Sequence, residues 1–207
     1  DRILASGLWP VIRQRPYHIV ARTGKVPKAV FISAFNTAPL APDLEYVLSN
    51  THGAFIQTGI DALSRLTDGK IHLSFDADGS RNTELKNLHG VERHYFSGPH
   101  PAGNPGIQIH HIDPVSKGET VWYLNIQDVV ALGKLFAQGV YDHERIISLA
   151  GPSVKKPRYY RIHAGTSLAS IVQPNIESGN NRIISGNVLT GTKTDINGFL
   201  GFYDEMV

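Results

Sequence analysis

The stretch VERHYFSGPHPAGNPG, residues 91–106, decides the fold. It opens as a strand, Val91 to Phe96, and ends at a helix start, Pro105-Gly106-Ile107. Between them stand Gly98, Pro99, His100, Pro101 and Gly103. Proline fixes φ and removes a backbone donor, and glycine tolerates φ > 0, so no regular element runs through this segment. It reads as a shaped loop at the end of a strand, the place where open α/β sheets put their sites. The same composition also suits a long surface connection with no ligand.

Working outward from this loop, strand and helix signals alternate. Lys28 to Phe35, KAVFISAF, is a compact apolar run suited to a buried parallel strand. Asn36 to Asp43 is a turn-rich connection leading to a helix from Asp43 to Leu48. Gly53 to Leu66 carries apolar residues on one helix face, and Lys70 to Phe75 alternates as a strand. Asp76 to Ser80 is a turn, without the spacing of a calcium loop. Asn82 to Leu88 reads as a short helix, and Ile107 to Ile112 fits helix and strand alike. Thr120 to Leu124 is a strand, Gln127 to Phe136 a largely buried helix, and Arg145 to Leu149 a further strand. The alternation predicts an α/β Rossmann-like parallel sheet with helices on both faces over residues 1–150.

The pattern changes at Ala150-Gly151-Pro152. Strands at 158–163, 182–190 and 199–207, with a short helix at 168–172, predict a small α+β domain over residues 151–207. In the first 16 residues, Trp9 beside Gly7 suits the floor of a pocket or a plug at a core edge. Arg13 and Arg15 are expected at the solvated surface.

Composition excludes several functions. The chain has 207 residues, a net charge of +2 and no long basic run, so no nucleic-acid partner is expected. With no cysteine, these residues hold no disulfide, thiolate-ligated iron–sulfur cluster or cysteine nucleophile. No apolar run reaches the roughly 20 residues of a membrane-crossing helix. The single methionine is Met206, and both ends read as cut, so an internal piece of a longer protein is expected. No G-x-G-x-x-G, P-loop or nucleophile elbow occurs. His94, His100, His110, His111 and Asp113 lie close in sequence, but adjacent histidines on a strand point apart, and no metal site is expected.

Longer strings carry a family resemblance: FSGPHPAGNPGIQIHHIDPV (96–115), NIQDVVALGKLF (125–136), SLAGPSVKKPR (148–158), SGLWPVIRQRP near the start and SGNVLTGTKT (185–194). In order and over essentially the whole chain, they resemble the A subunit of the Na⁺-translocating NADH:quinone oxidoreductases. The likeness extends more distantly to the C subunit of the Rnf complex and to the flavin-binding subunit of complex I. It implies a peripheral, cytoplasm-facing component of the bacterial inner membrane, with the membrane and other subunits of that enzyme as partners. It also implies that residues 151–207 form a β-grasp (SLBB-like) domain.

The relatives' flavin motifs are degenerate here. Ile3 to Pro10 matches their glycine-rich loop but keeps one glycine, Gly7, with Trp9 and Pro10. Phe35 to Pro39 matches their acidic motif, with Asn36, Thr37 and Ala38 in place of carboxylates. Of a third motif only Asn125 remains. The expectation is a redox scaffold that has lost its cofactor. NADH, flavins, iron–sulfur clusters and ubiquinone would then belong to the rest of the complex, and this component would serve structure and docking. The alternative is a quinone- or nucleotide-binding role for the old cleft, through Gly7, Trp9, Asn36, Pro101, Gly103 and Asn125. A soluble enzyme working through His100 and His111 is a third reading.

Overall fold

A computed structural model describes residues 1–49, 53–78, 83–142 and 144–207, without the side chains of Thr83 and Glu84. The expected turn at 76–80 and the start of the expected helix at Asn82 lie partly outside these residues. The chain divides into two compact units. One comprises 1–37 and 44–142, and the other comprises 38–43 and 143–207.

The first unit is built on a six-stranded sheet. Its strands are β1 (Arg13–Arg15), β2 (Ile19–Val20), β3 (Val30–Ser33), β4 (Ile71–Asp76), β5 (Glu92–Phe96) and β6 (Val121–Asn125). The order is β2-β1-β6-β3-β4-β5. Strands β6, β3, β4 and β5 are parallel, and β1 joins β6 antiparallel. Strand order therefore reverses between β3 and β6, the switch point of a doubly wound sheet. Sequence periodicity missed the β1–β2 hairpin, because its two strands are too short to show a period of 2. Arg13 and Arg15 are consequently strand residues with guanidinium groups over the Tyr123 ring, rather than free surface side chains.

Helices are α1 (Arg2–Ala5), α2 (Leu44–Leu48), α3 (Gly53–Ser64), α4 (Thr83–Lys86), α5 (Pro105–Ile112) and α6 (Ile126–Gln138). Helices α3 and α6 cover one face of the sheet. Ile56, Ile60 and Leu63 of α3 and Val129 and Leu132 of α6 join Val30, Ile32, Leu73, Trp122 and Leu124 in one core. The two helices touch backbone to backbone. A Cβ on Gly59 would lie 2.2 Å from the Val129 carbonyl oxygen, and one on Gly133 would lie 1.7 Å from that of Phe55. The Asn125 side chain caps α6 by accepting from the Gln127 N–H at 2.9 Å, and Gly139 closes the helix at φ 74°. Helix α5 covers the other face, with Ile109 against Phe31, Val121 and Tyr123. The ambiguity at 107–112 resolves as helix. Pro105 fits the first helical turn, Ile109 and Ile112 share a face, and Asp113-Pro114 stops propagation.

The second unit holds β7 (Glu144–Leu149), β8 (Arg158–His163), α7 (Ala169–Val172), β9 (Ile183–Ser185) and β10 (Thr192–Thr194). Strand β7 does not extend the parallel sheet. It pairs antiparallel with β8, turning Ile147 and Leu149 toward a separate core with Ile162, Leu168, Ile171, Val172 and Leu200. The units thus divide at 142/143 rather than near 151, and Gly151-Pro152 belongs to the connection between β7 and β8. The strand expected at 182–190 shortens to β9, because Gly186 at φ 90° turns the chain. The stretch expected as a strand at 199–207 makes only isolated bridges, at Phe199 and Met206. No helix among the described residues is long and apolar enough to cross a membrane.

Candidate functional site at the sheet switch point

Ser33 of β3 lies opposite Asn125 of β6, so Asn125 ends one switch-point strand and Asn36 follows the carboxyl end of the other. The connection after β5 folds onto the same edge. The Gly103 N–H donates to Thr37 Oγ1 at 2.8 Å, and His100 Nδ1 lies 3.2 Å from that hydroxyl. The approach is close. A Cβ on Gly103 would stand 2.3 Å from the Thr37 nitrogen and 2.8 Å from the Asn36 Cα. The His100-Pro101 bond is cis, in a tight turn where the Ala102 N–H donates to the Pro99 carbonyl. Thr37, which sequence reasoning leaves among the turn residues, therefore ties the loop that carries His100, Pro101 and Gly103 to the Asn36–Thr37 segment, while Asn125 ends the neighbouring strand.

Trp9 and Gly7 stand elsewhere. The Trp9 indole N–H donates to the Ala21 carbonyl at 2.7 Å, and its ring meets Trp122 edge-on at 5.5 Å. Trp122 lies toward the amino end of β6, away from Asn125. Gly7, at φ 79°, turns the chain out of α1.

The start of α6 borders this edge. In dinucleotide folds the helix after a switch-point strand offers bare N–H groups and a positive dipole end to phosphate. Here the Gln127 N–H is already taken by Asn125, and Asp128 in the first turn of α6 is only 3 % exposed. An acidic residue in the first turn favours the helix dipole.

Two further sites stand apart from this edge. On the α5 face of the sheet, His72 Nδ1 lies 3.0 Å from His94 Nε2 and 3.5 Å from Glu92 Oε2. Burial is the main cause that lowers both imidazole pKa values, with His94 adding to the effect on His72. Lys70, whose ammonium is 2.6 Å from Glu92 Oε1, holds that carboxyl below its ordinary range. Of the histidines singled out in sequence, only His94 belongs here; His110 and His111 are on α5. His72 and Glu92 were missed. The available signal was an E-x-H spacing on one strand and a lone histidine on the next. In the second unit, an apolar cavity of about 460 Å³ is lined by Leu40, Leu149, Val154, Val172, Ile176 and Val188, among others.

The family model described as "NqrA second alpha/beta domain" matches residues 1–141, and that described as "NQRA C-terminal domain" matches residues 146–195. The chain is 42 % identical over 206 residues to a protein from Photorhabdus laumondii named as the A subunit of Na(+)-translocating NADH-quinone reductase, covering 99 % of this chain and 45 % of that protein. It is 45 % identical over 206 residues to the protein of the same name from Glaesserella parasuis, covering 98 % and 45 %. The chain thus spans less than half the length of these relatives. Among solved structures, an NAD⁺-reducing [NiFe]-hydrogenase in the air-oxidized state aligns with a TM-score of 0.61 at 15 % identity. That alignment covers 89 % of this chain and 40 % of the other, and it shows a shared fold alone.

Proposed function

This chain belongs to the NqrA family, and on that premise we propose that it is a structural part of the A subunit of an NADH:quinone oxidoreductase that couples electron transfer to sodium transport. In this reading it carries no redox cofactor, docks against the other subunits at the cytoplasmic face of the membrane, and leaves NADH and flavin chemistry to them. The observation that carries the reading is the closed switch-point edge. Gly103 lies against the Asn36–Thr37 backbone too closely for a side chain, and the Gln127 N–H at the start of α6 is already held by the Asn125 side chain.

The test is a fluorescence titration of the native protein with FMN and then NADH. Trp9 and Trp122 provide the signal, and a Trp9→Phe variant separates them. The expected result is no saturable response to either. Saturable FMN binding that weakens in Asn125→Asp would overturn the reading.

A second reading, quinone binding, draws support from the apolar cavity of the second unit rather than from the old cleft. Its volume of about 460 Å³ falls within the roughly 300–1,000 Å³ of small-molecule sites. Saturable binding of a short-tailed ubiquinone that Val188→Asp weakens and Trp9→Phe leaves unchanged would favour it. Val188 is 62 % exposed, so that substitution tests the cavity without burying a charge.

A further inference from the structure

Strands β4 and β5 run parallel at one edge of the sheet, and their register places His72 opposite Glu92 and Ser74 opposite His94. Residues two apart on a strand share a face, so Glu92 and His94 both stand beside His72. Backbone pairing, rather than a chance meeting of long side chains, sets this arrangement. We propose that His72, Glu92 and His94 form a binding site for a divalent transition-metal ion of the zinc class, with three protein ligands and one position open to solvent.

The spacing fits. Zinc lies about 2.0–2.1 Å from imidazole nitrogen and about 2.0–2.2 Å from carboxylate oxygen, which sets tetrahedral ligand atoms about 3.3–3.4 Å apart. The observed separations of 3.0 Å and 3.5 Å bracket that value, and all three donor atoms lie within 4.8 Å of one another. The donor set, two imidazoles and a carboxylate without thiolate, is one that zinc accepts with three protein ligands and a water.

The surroundings hold the ligands in place. Phe31 stacks on the His72 ring at 4.7 Å, fixing its plane. Lys70 takes Glu92 Oε1 at 2.6 Å and leaves Oε2 turned toward His72. Such supporting contacts orient metal ligands. The site is reachable: β5 is the edge strand, His94 is half-buried and the Glu92 side chain is 45 % exposed. A direct hydrogen bond between the two rings would account for the 3.0 Å separation. It would not require the carboxylate that converges on the same nitrogen.

The experiment is calorimetric titration of the native protein with Zn²⁺ alone after dialysis against a chelator. Co²⁺ serves in parallel as a probe whose visible absorption reports four-coordinate geometry. One equivalent of zinc is expected to bind, and cobalt to give the intense bands of a tetrahedral site. Glu92→Gln and His94→Gln lie at the exposed edge and keep similar volumes, so they test the ligands without emptying the core. Each should weaken zinc binding by more than the roughly 10–100-fold lost when an outer-shell group is removed. No zinc binding by the native protein, or equal binding by both variants, would overturn the site and leave a hydrogen-bonded histidine pair.

Discussion

His18 shows how one residue ties a hairpin to a sheet. Its Nε2 faces Arg13 Nη1 at 3.3 Å, and its Nδ1 meets the Tyr123 hydroxyl. Arginine only donates, so Nε2 carries the lone pair, and Nδ1–H donates to Tyr123. Although the residue is exposed, partial desolvation of the ring, then the charges of Arg13 and Arg15, lowers the His18 pKa. The folded state therefore favours the neutral ring. Its contribution to stability is present above the unfolded imidazole value of about 6.5 and is lost as pH falls through the lower folded value. Thermal unfolding of the native protein should show this acid-side loss, and His18→Asn should flatten it. An unchanged slope would mean that other groups set it. The residue scale is also where sequence reasoning fails most. Nothing in the spacing of His72 and His94, 22 residues apart, reveals that β4 and β5 pair in the register that joins them.

At the scale of elements, the crossing of α3 and α6 is the tightest joint of the first unit. Gly59 and Gly133 each sit against the other helix's backbone, so the crossing distance rests on two missing side chains. Gly133→Ala gains helix propensity of about 1 kcal/mol. The new methyl would stand 1.7 Å from a backbone oxygen, and overpacking of this kind costs typically about 1–3 kcal/mol and occasionally more. Because the obstacle is main chain and cannot rotate away, the packing cost should win. Urea unfolding should give a net loss of up to roughly 2 kcal/mol, and a gain in stability would show that the helices separate freely. The long elements were legible in the sequence because periodicity and caps agree, as in α6 between Asn125 and Gly139. Short ones such as β1 and β10 were not, since three residues carry no period. Helix α5 was ambiguous because its apolar positions are sparse.

For the whole molecule, fold class was legible and the dividing line was not. The Gly-Pro-rich run after Leu149 resembles a linker, yet it closes the hairpin of β7 and β8. Glycine and proline mark a change of direction, and only strand pairing tells whether the chain is leaving a unit or returning to it. At the switch point the Gly103 loop folds against Asn36 and Thr37, Asn125 ends the neighbouring strand, and Trp9 packs on Trp122 away from them; a contact between residues 66 positions apart leaves no trace in sequence spacing. Each unit has its own buried cluster, so the Gly133→Ala change should loosen one without the other. In hydrogen exchange, amides of β3 and β4 should lose protection while those of β7 and β8 keep theirs. Equal loss in both would mean that the two cores unfold as one.

The short segment 38–43 has a consequence for how the chain is made. It belongs to the second unit, where the Leu40 carbonyl accepts from Ser148 Oγ at 3.2 Å and the Asp43 N–H donates to the Tyr159 hydroxyl at 3.0 Å. Leu40 and Ser148 are 108 residues apart. At roughly 5–20 residues per second, the ribosome takes about 5–20 s to cover that gap. For an interval of that length residues 38–43 are outside the tunnel before their partners emerge. Translation speed therefore fixes the order of events: these six residues wait, and the second unit closes only after the 143–207 segment arrives.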